Sequence, residues 1–153
     1  MITSDPVING LVAYFNYFIK MEKSAFEDLF KRDRETGETI FHELAECGAL
    51  RVLYRIHERT SGAFVNLIQI KNYRGELCTH VAARCHSGIR AINLIEILVL
   101  MGADVNERES CGGETVLHTT VFKRDYELAE WLCKHPQINL DARNYGRLTA
   151  FQI

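Results

Sequence analysis

What the sequence lacks narrows the field first. Only two prolines occur in 153 residues, and no apolar run approaches a membrane span, which takes about 20 residues. The longest such stretch near the start, 11-LVAYFNYFI-19, is broken by Asn16. The residues ahead of it carry Asp5 and no basic residue, and no small-residue cleavage site follows. That is not the pattern of a secretory signal. The glycosylation pattern Asn-x-Ser/Thr never occurs. Positive charge is in no surplus either. A formal net charge of -2 argues against general affinity for nucleic acid, which calls for a basic surface. Cys47, Cys78, Cys85, Cys111 and Cys133 include no Cys-x-x-Cys pair. A structural zinc site would bring its ligands in such pairs, so reduced thiols in a cytosolic chain are the expectation.

Catalytic motifs are missing as well. The segment 42-HELAE-46 opens like the metalloprotease His-Glu-x-x-His, but Glu46 stands where the second histidine belongs. No phosphate loop, Gly-x-Gly-x-x-Gly or Gly-x-Ser-x-Gly occurs. The chain reads as a non-enzyme with no metal and no cofactor. Its composition, 47% hydrophobic and 25% charged, is that of an ordinary globular domain large enough for one core.

What is present is a repeat. The stretches 37-GETIFHELA-45, 75-GELCTHVAA-83 and 113-GETVLHTTV-121 align by their glycines at an interval of 38 residues. His42, His80 and His118 keep that interval, and 144-NYGRLTAFQI-153 begins an imperfect fourth copy. Periods of 20 to 50 residues mark stacked units that bury their apolar faces only against neighbours. Each unit predicts two helices. In the first, 40-IFHELAEC-47 is interrupted by Gly48 and followed by Leu50, Leu53, Tyr54 and Ile56 at helical spacing. In the second, Ile92, Ile95, Ile97, Leu98 and Leu100 give an almost wholly apolar helix, closed by Gly102. In the third, Leu128, Trp131 and Leu132 share one face, and Pro136 follows where a helix should have ended.

This pattern resembles the ankyrin repeat, whose signature is close to G-x-T-P-L-H-x-A-A-x-x-G followed later by G-A-D-V-N. The runs 37-GETIFHELAECG-48 and 113-GETVLHTTV-121 match its front, and 102-GADVN-106 matches its end. No proline follows Thr39 or Thr115, Leu77 replaces the threonine of the second unit, and the period is 38 where the family has 33. The extra residues are assigned to loops such as 60-TSGAFVNLIQ-69 and 86-HSGIRA-91. The resemblance covers about residues 33–153. It implies an all-α ankyrin-repeat α-solenoid of helix-turn-helix-loop units, with repeats near 33–70, 71–108 and 109–142 and a partial one over 143–153. Residues 1–32, with the amphipathic run 14-YFNYFIKMEKSAFEDLF-30, are expected to form an N-terminal helical cap. In such repeats the threonine caps the first helix, worth about 0.5–2 kcal/mol, and the histidine ties the turn to the adjacent repeat. Thr39, His42, His80, Thr115 and His118 are therefore expected to be structural.

Ankyrin stacks bind other proteins through their loop tips and the exposed face of the first helices. The variable positions carry over onto Glu46 with Cys47, Arg84 with Cys85, and Phe122 with Lys123. At the loops they fall on Tyr73, Arg74, Glu76 and Glu114, with Arg108 and Arg143 nearer the tips. The irregular long repeats, in 71-KNYRGELCTHVAA-83, 134-KHPQINLDARN-144 and 144-NYGRLTA-150, are similar to the inhibitor-of-κB (IκB) group. Among these, the compact chain resembles the IκB-like ankyrin proteins of polydnaviruses (bracoviruses), also called vankyrins. IκB proteins hold NF-κB/Rel transcription factors in the cytoplasm until phosphorylation of an Asp-Ser-Gly-type degron triggers their destruction. The region 1-MITSDPVING-10 has no such degron, and no acidic Pro/Glu/Ser/Thr-rich tail is present. The resemblance thus implies an inhibitor of host NF-κB/Rel factors that is not switched off and that suppresses the host immune response. Its expected place is the host cell cytoplasm, with the nucleus as a second compartment, and Glu43 and Glu46 are expected to meet a basic Rel segment. A monomer is expected, with self-association through the open last unit at Phe151 and Ile153 as the variant. The alternative is a generic ankyrin adaptor for a different host protein.

Overall fold

Residues 31–60 and 64–153, with Ala13 alone before them, are described by a computed structural model. The cap expected over 1–32 falls outside the described residues, apart from Ala13 and its own last two positions. Seven helices run through the described part: α1 (Ile40–Cys47), α2 (Leu50–Thr60), α3 (Val65–Ile68), α4 (Cys78–Cys85), α5 (Gly88–Leu100), α6 (Val116–Phe122) and α7 (Tyr126–Lys134). No strand occurs among the described residues, and one isolated bridge joins Arg143 to Thr149. The described chain is all-α.

The pairing follows the apolar spacing. In α1, Ile40, Phe41, Leu44 and Ala45 are buried while Glu43 and Glu46 stay exposed. In α2, Val52, Leu53 and Ile56 turn inward and Arg51, Arg55 and Glu58 outward. The middle helix α5 has neighbours on two sides and buries Ala91, Ile92, Leu94, Ile95, Ile97 and Leu98, at about 1.5–3 kcal/mol for each large apolar side chain. Two rows result. The first helices α1, α4 and α6 pack in sequence, and the second helices α2, α5 and α7 pack in sequence behind them. Within each unit the pairs α1–α2, α4–α5 and α6–α7 are also in contact.

Two segments assigned to loops are more ordered than that. Within 60-TSGAFVNLIQ-69 the chain makes the single turn of α3, because Phe64 and Ile68 have a core to enter. Within 86-HSGIRA-91 helix α5 already begins at Gly88, whose N–H donates to Asp125 Oδ2 at 2.9 Å. The other oxygen of Asp125 caps α7 by accepting from Leu128 N at 3.2 Å. One carboxylate thus serves the starts of two helices. Leu100 and Tyr54, counted among the packed faces, are exposed. Leu100 lines a shallow groove between α5 and α7 with Val99, Trp131 and Pro136.

Candidate protein-binding surface

The surface is set by four successive turns. Asp33, Asn72, Glu109 and Asn144 open them, each donating its N–H across the turn to Glu38, Glu76, Glu114 and Leu148 respectively. Their side chains fill the inside. Asn72 Oδ1 accepts from Arg74 N and Glu76 N, and the Glu109 carboxylate accepts from Cys111, Gly112 and Glu114. Burial works against the charge of Glu109, but those backbone donors hold its pKa below the usual carboxylate value. Each later turn leans on the one before: Tyr73 N donates to Thr36 O, Ser110 N to Arg74 O and Tyr145 N to Gly112 O. The contact is close at Gly37 and Gly113, which sit at φ 73 and 69. A Cβ there would lie 2.6 Å from Tyr73 Cδ1 and 2.5 Å from Tyr145 Cδ1. Glycine is needed on both counts. In the fourth turn the same left-handed position is held by Arg147 at φ 63.

Behind the turns the histidines latch unit to unit. His42 Nε2 lies 3.0 Å from Glu76 O, His80 Nε2 3.2 Å from Glu114 O, and His118 Nε2 3.0 Å from Leu148 O. A carbonyl only accepts, so each Nε2 carries the proton and each Nδ1 is an acceptor. The Nδ1 atoms take the N–H of Thr39, Leu77 and Thr115 at 3.1, 3.2 and 3.3 Å. Thr39 Oγ1 and Thr115 Oγ1 donate to the same nitrogens at 3.0 and 2.9 Å. All three histidines and both threonines are buried. For His42 and His80 this arrangement requires a neutral ring. Burial pushes the pKa of His42 and His80 below its ordinary 6.5.

With those groups engaged inward, the first-helix row presents one column of exposed residues at the 38-residue interval: Glu46, Arg84 and Phe122. At the first unit the character is acidic. Burial and the nearby charges of Glu38, Asp33 and Glu46 push the Glu43 carboxyl above its usual value. At the second unit the charge is internally balanced. Arg84 Nε lies 3.1 Å from Glu76 Oε1; burial opposes the guanidinium charge, and Glu76, Cys85 and Glu46 together more than offset that. At the third unit Phe122 is 80% exposed and Tyr126, opening α7, is 75% exposed.

Two of the expected contact residues are occupied within the chain. Glu76 is only 9% exposed, and its Oε2 accepts from Asn72 Nδ2 at 3.0 Å while Oε1 holds Arg84. Its N–H and carbonyl are both pinned in the turn, which holds its side chain against the fold instead of at the surface. Lys123 Nζ donates to Ala83 O and His86 O, both at 2.6 Å, and to Ser87 Oγ at 3.2 Å. It satisfies the carbonyl end of α4, where a cation is favoured. His86 does the same for α1, with Nε2 2.9 Å from both Ala45 O and Glu46 O. Cys47 and Cys85 are half-buried at these helix ends. Glu114 is half-buried, and its backbone N–H is taken by Glu109.

At the tips Tyr73, Arg74, Arg108 and Arg143 are exposed. Arg32 lies over the Tyr73 ring at 4.7 Å, and Arg143 Nη1 donates to Arg147 O at 2.7 Å. Tyr126 and Tyr145, two further exposed aromatics, escaped the sequence reading. A signal for Tyr145 was there: the pair Asn-Tyr recurs at 72–73 and 144–145. Among the described residues no helix is long and apolar enough to cross a membrane.

The chain is similar over most of its length to several proteins of the Microplitis demolitor bracovirus. It is 33% identical to I-kappa-B like protein H1 over 142 residues, 86% of this chain and 73% of that protein. It is 42% identical to I-kappa-B like protein N1 over 111 residues, 72% and 80% of the two chains. To I-kappa-B like protein N2 it is 36% identical over 126 residues, 82% and 68%. No protein-family model matches it.

Proposed function

The chain belongs to the I-kappa-B like proteins of bracoviruses, and from that premise we propose that it is a non-enzymatic inhibitor of host NF-κB/Rel transcription factors. In this reading the paired helices are ankyrin repeats over residues 33–153, stacked as a solenoid and closed at the start by a helical cap within 1–32. The protein binds a Rel factor on its first-helix row and loop tips, holds it inactive in the host cell cytoplasm, and so suppresses the immune response. The observation that supports this best is the column Glu46, Arg84 and Phe122: one exposed residue per unit, on a row whose polar turn residues are satisfied internally. The acidic first unit suits a basic Rel segment, through Glu43 and Glu46. These 153 residues contain no Asp-Ser-Gly run, so immune signalling is expected to leave the chain intact.

Pull-down of Rel-homology proteins by the expressed chain, before and after immune stimulation, tests the proposal. Co-purification in both states is the expected result. Capture of no Rel protein, or loss of the chain on stimulation, would contradict it. The double reversal Glu43→Lys with Glu46→Lys should weaken capture roughly tenfold at low salt and flatten its salt dependence. An unchanged affinity would remove these carboxylates from the interface.

A further inference from the structure

We infer that the first-helix row is a two-point gauge: it takes a partner segment with a cationic cluster at one end and a large apolar side chain at the other, the two set apart by the span of two units. This rests on reading the row as a docking face, but on no particular partner. Four observations carry it. Glu46, Arg84 and Phe122 occupy the same position in helices that pack in sequence, so they form a column along the stack. The first unit gathers Glu43, Glu46, Glu38 and Asp33, the last three close enough for their charges to act on Glu43. The middle position is compensated: Arg84 lies 3.1 Å from Glu76, and the charge of Glu46 acts on it as well. Lys123, beside Phe122, has its ammonium tied to two carbonyls and a hydroxyl of the neighbouring unit.

What remains at the third unit is aromatic surface. Phe122 at 80% and Tyr126 at 75% exposure are the residue types that anchor interfaces when a partner's apolar group covers them. Arg124, between them, takes φ 59 where a non-glycine residue is unfavourable. It turns the chain so that α7 begins at Tyr126. The column therefore runs from acidic through neutral to apolar. That polarity fixes the direction of the bound segment as well as its chemistry.

The length follows from helix packing. Neighbouring helices lie about 8–10 Å apart, so Glu46 and Phe122 are separated by about 16–20 Å. An extended segment at about 3.3 Å per residue covers this in five or six residues. A helical one at about 1.5 Å per residue needs eleven to thirteen.

Labelled synthetic peptides test the gauge directly. Each carries Lys-Arg-Lys and a single Phe joined by a Gly-Ser spacer of graded length, titrated against the full chain by fluorescence anisotropy. Affinity should peak near ten intervening Gly-Ser residues, where the r.m.s. length of a flexible coil at about 5–6 Å × √n matches the span, or near twelve in an Ala-rich helical series, and exceed the shortest spacer roughly tenfold. Phe122→Ser should remove the peak and leave affinity independent of spacer length. Circular dichroism checks that the variant is folded. Affinity independent of spacing, equal binding of a peptide with Glu in place of Lys-Arg-Lys, or no effect of Phe122→Ser would overturn the inference. So would sedimentation showing that Phe122 holds two copies of the chain together. A spacing optimum without capture of any Rel protein would leave the gauge standing and sink the Rel reading; the converse result would do the opposite.

Discussion

His42 and His80 are each a one-residue lock between units, and the lock has a sign. Their imidazoles are neutral in the fold, with Nδ1 facing a backbone N–H and Nε2 facing a carbonyl. A second proton would point at a donor. Burial depresses both pKa values below 6.5, so the unfolded chain takes up protons that the folded one refuses. Stability is therefore full above that value and falls as the pH drops below it, by about 1.4 kcal/mol per pH unit for each histidine kept neutral. Urea unfolding between about pH 7.5 and 5.5 should show this slope; a flat profile would mean that the rings are free to protonate. Glu43, whose pKa is raised by burial and crowding, works the opposite way, but nearer to carboxylate pH. Thr79 offers a second residue-scale test. It is buried with its hydroxyl unpartnered, at the position held by Phe41 and Leu117 in the other units. Thr79→Val should raise stability by about 1 kcal/mol in chemical denaturation. A loss of stability would show that the hydroxyl has an acceptor after all.

Helix ends are where one unit holds the next, and Lys123 is the clearest case. Its ammonium reaches Ala83 O and His86 O at the end of α4. Lys123→Met keeps the stem and removes the charge, leaving those carbonyls to water or to nothing. The expected cost is about 1–2 kcal/mol, with faster amide exchange in α4 and the α4–α5 turn than in α7. Equal exchange in both would place the support elsewhere. This element also shows where the sequence was legible and where it was not. The repeat interval, the apolar spacing of α1, α2, α5 and α7 and the buried histidines could be read because each is local or periodic. The use of Lys123 and Glu76 could not. Lys123 stands where the other units carry Cys47 and Cys85, and Glu76 where they carry Glu38 and Glu114, but their partners come from a different unit (Ala83, His86) or from a helix eight residues on (Arg84), and spacing along the chain does not report such pairings. Leu100 is a related case: apolar spacing does not show that the last residue of α5 lines an open groove with Trp131 and Pro136 and stays 61% exposed.

Across the whole molecule, the described units add like with like: first helices in one row, second helices in another, turns leaning on turns. Contacts between successive described units leave one continuous face whose character changes along the stack. That face is acidic over α1, balanced over α4 and aromatic over α6. The sequence named most of its members by likeness to a family, while their order of character emerged only once Glu76 and Lys123 were seen to be spent on the fold. Membership in the I-kappa-B like proteins makes a Rel factor the partner to test. The most direct measurement is calorimetric titration of the purified chain into a Rel-homology protein, with and without that protein's basic segment. Saturable one-to-one binding that weakens when the segment is removed, and weakens further as salt rises, is the predicted result. No detectable binding to any Rel-homology protein at micromolar concentration would contradict the account.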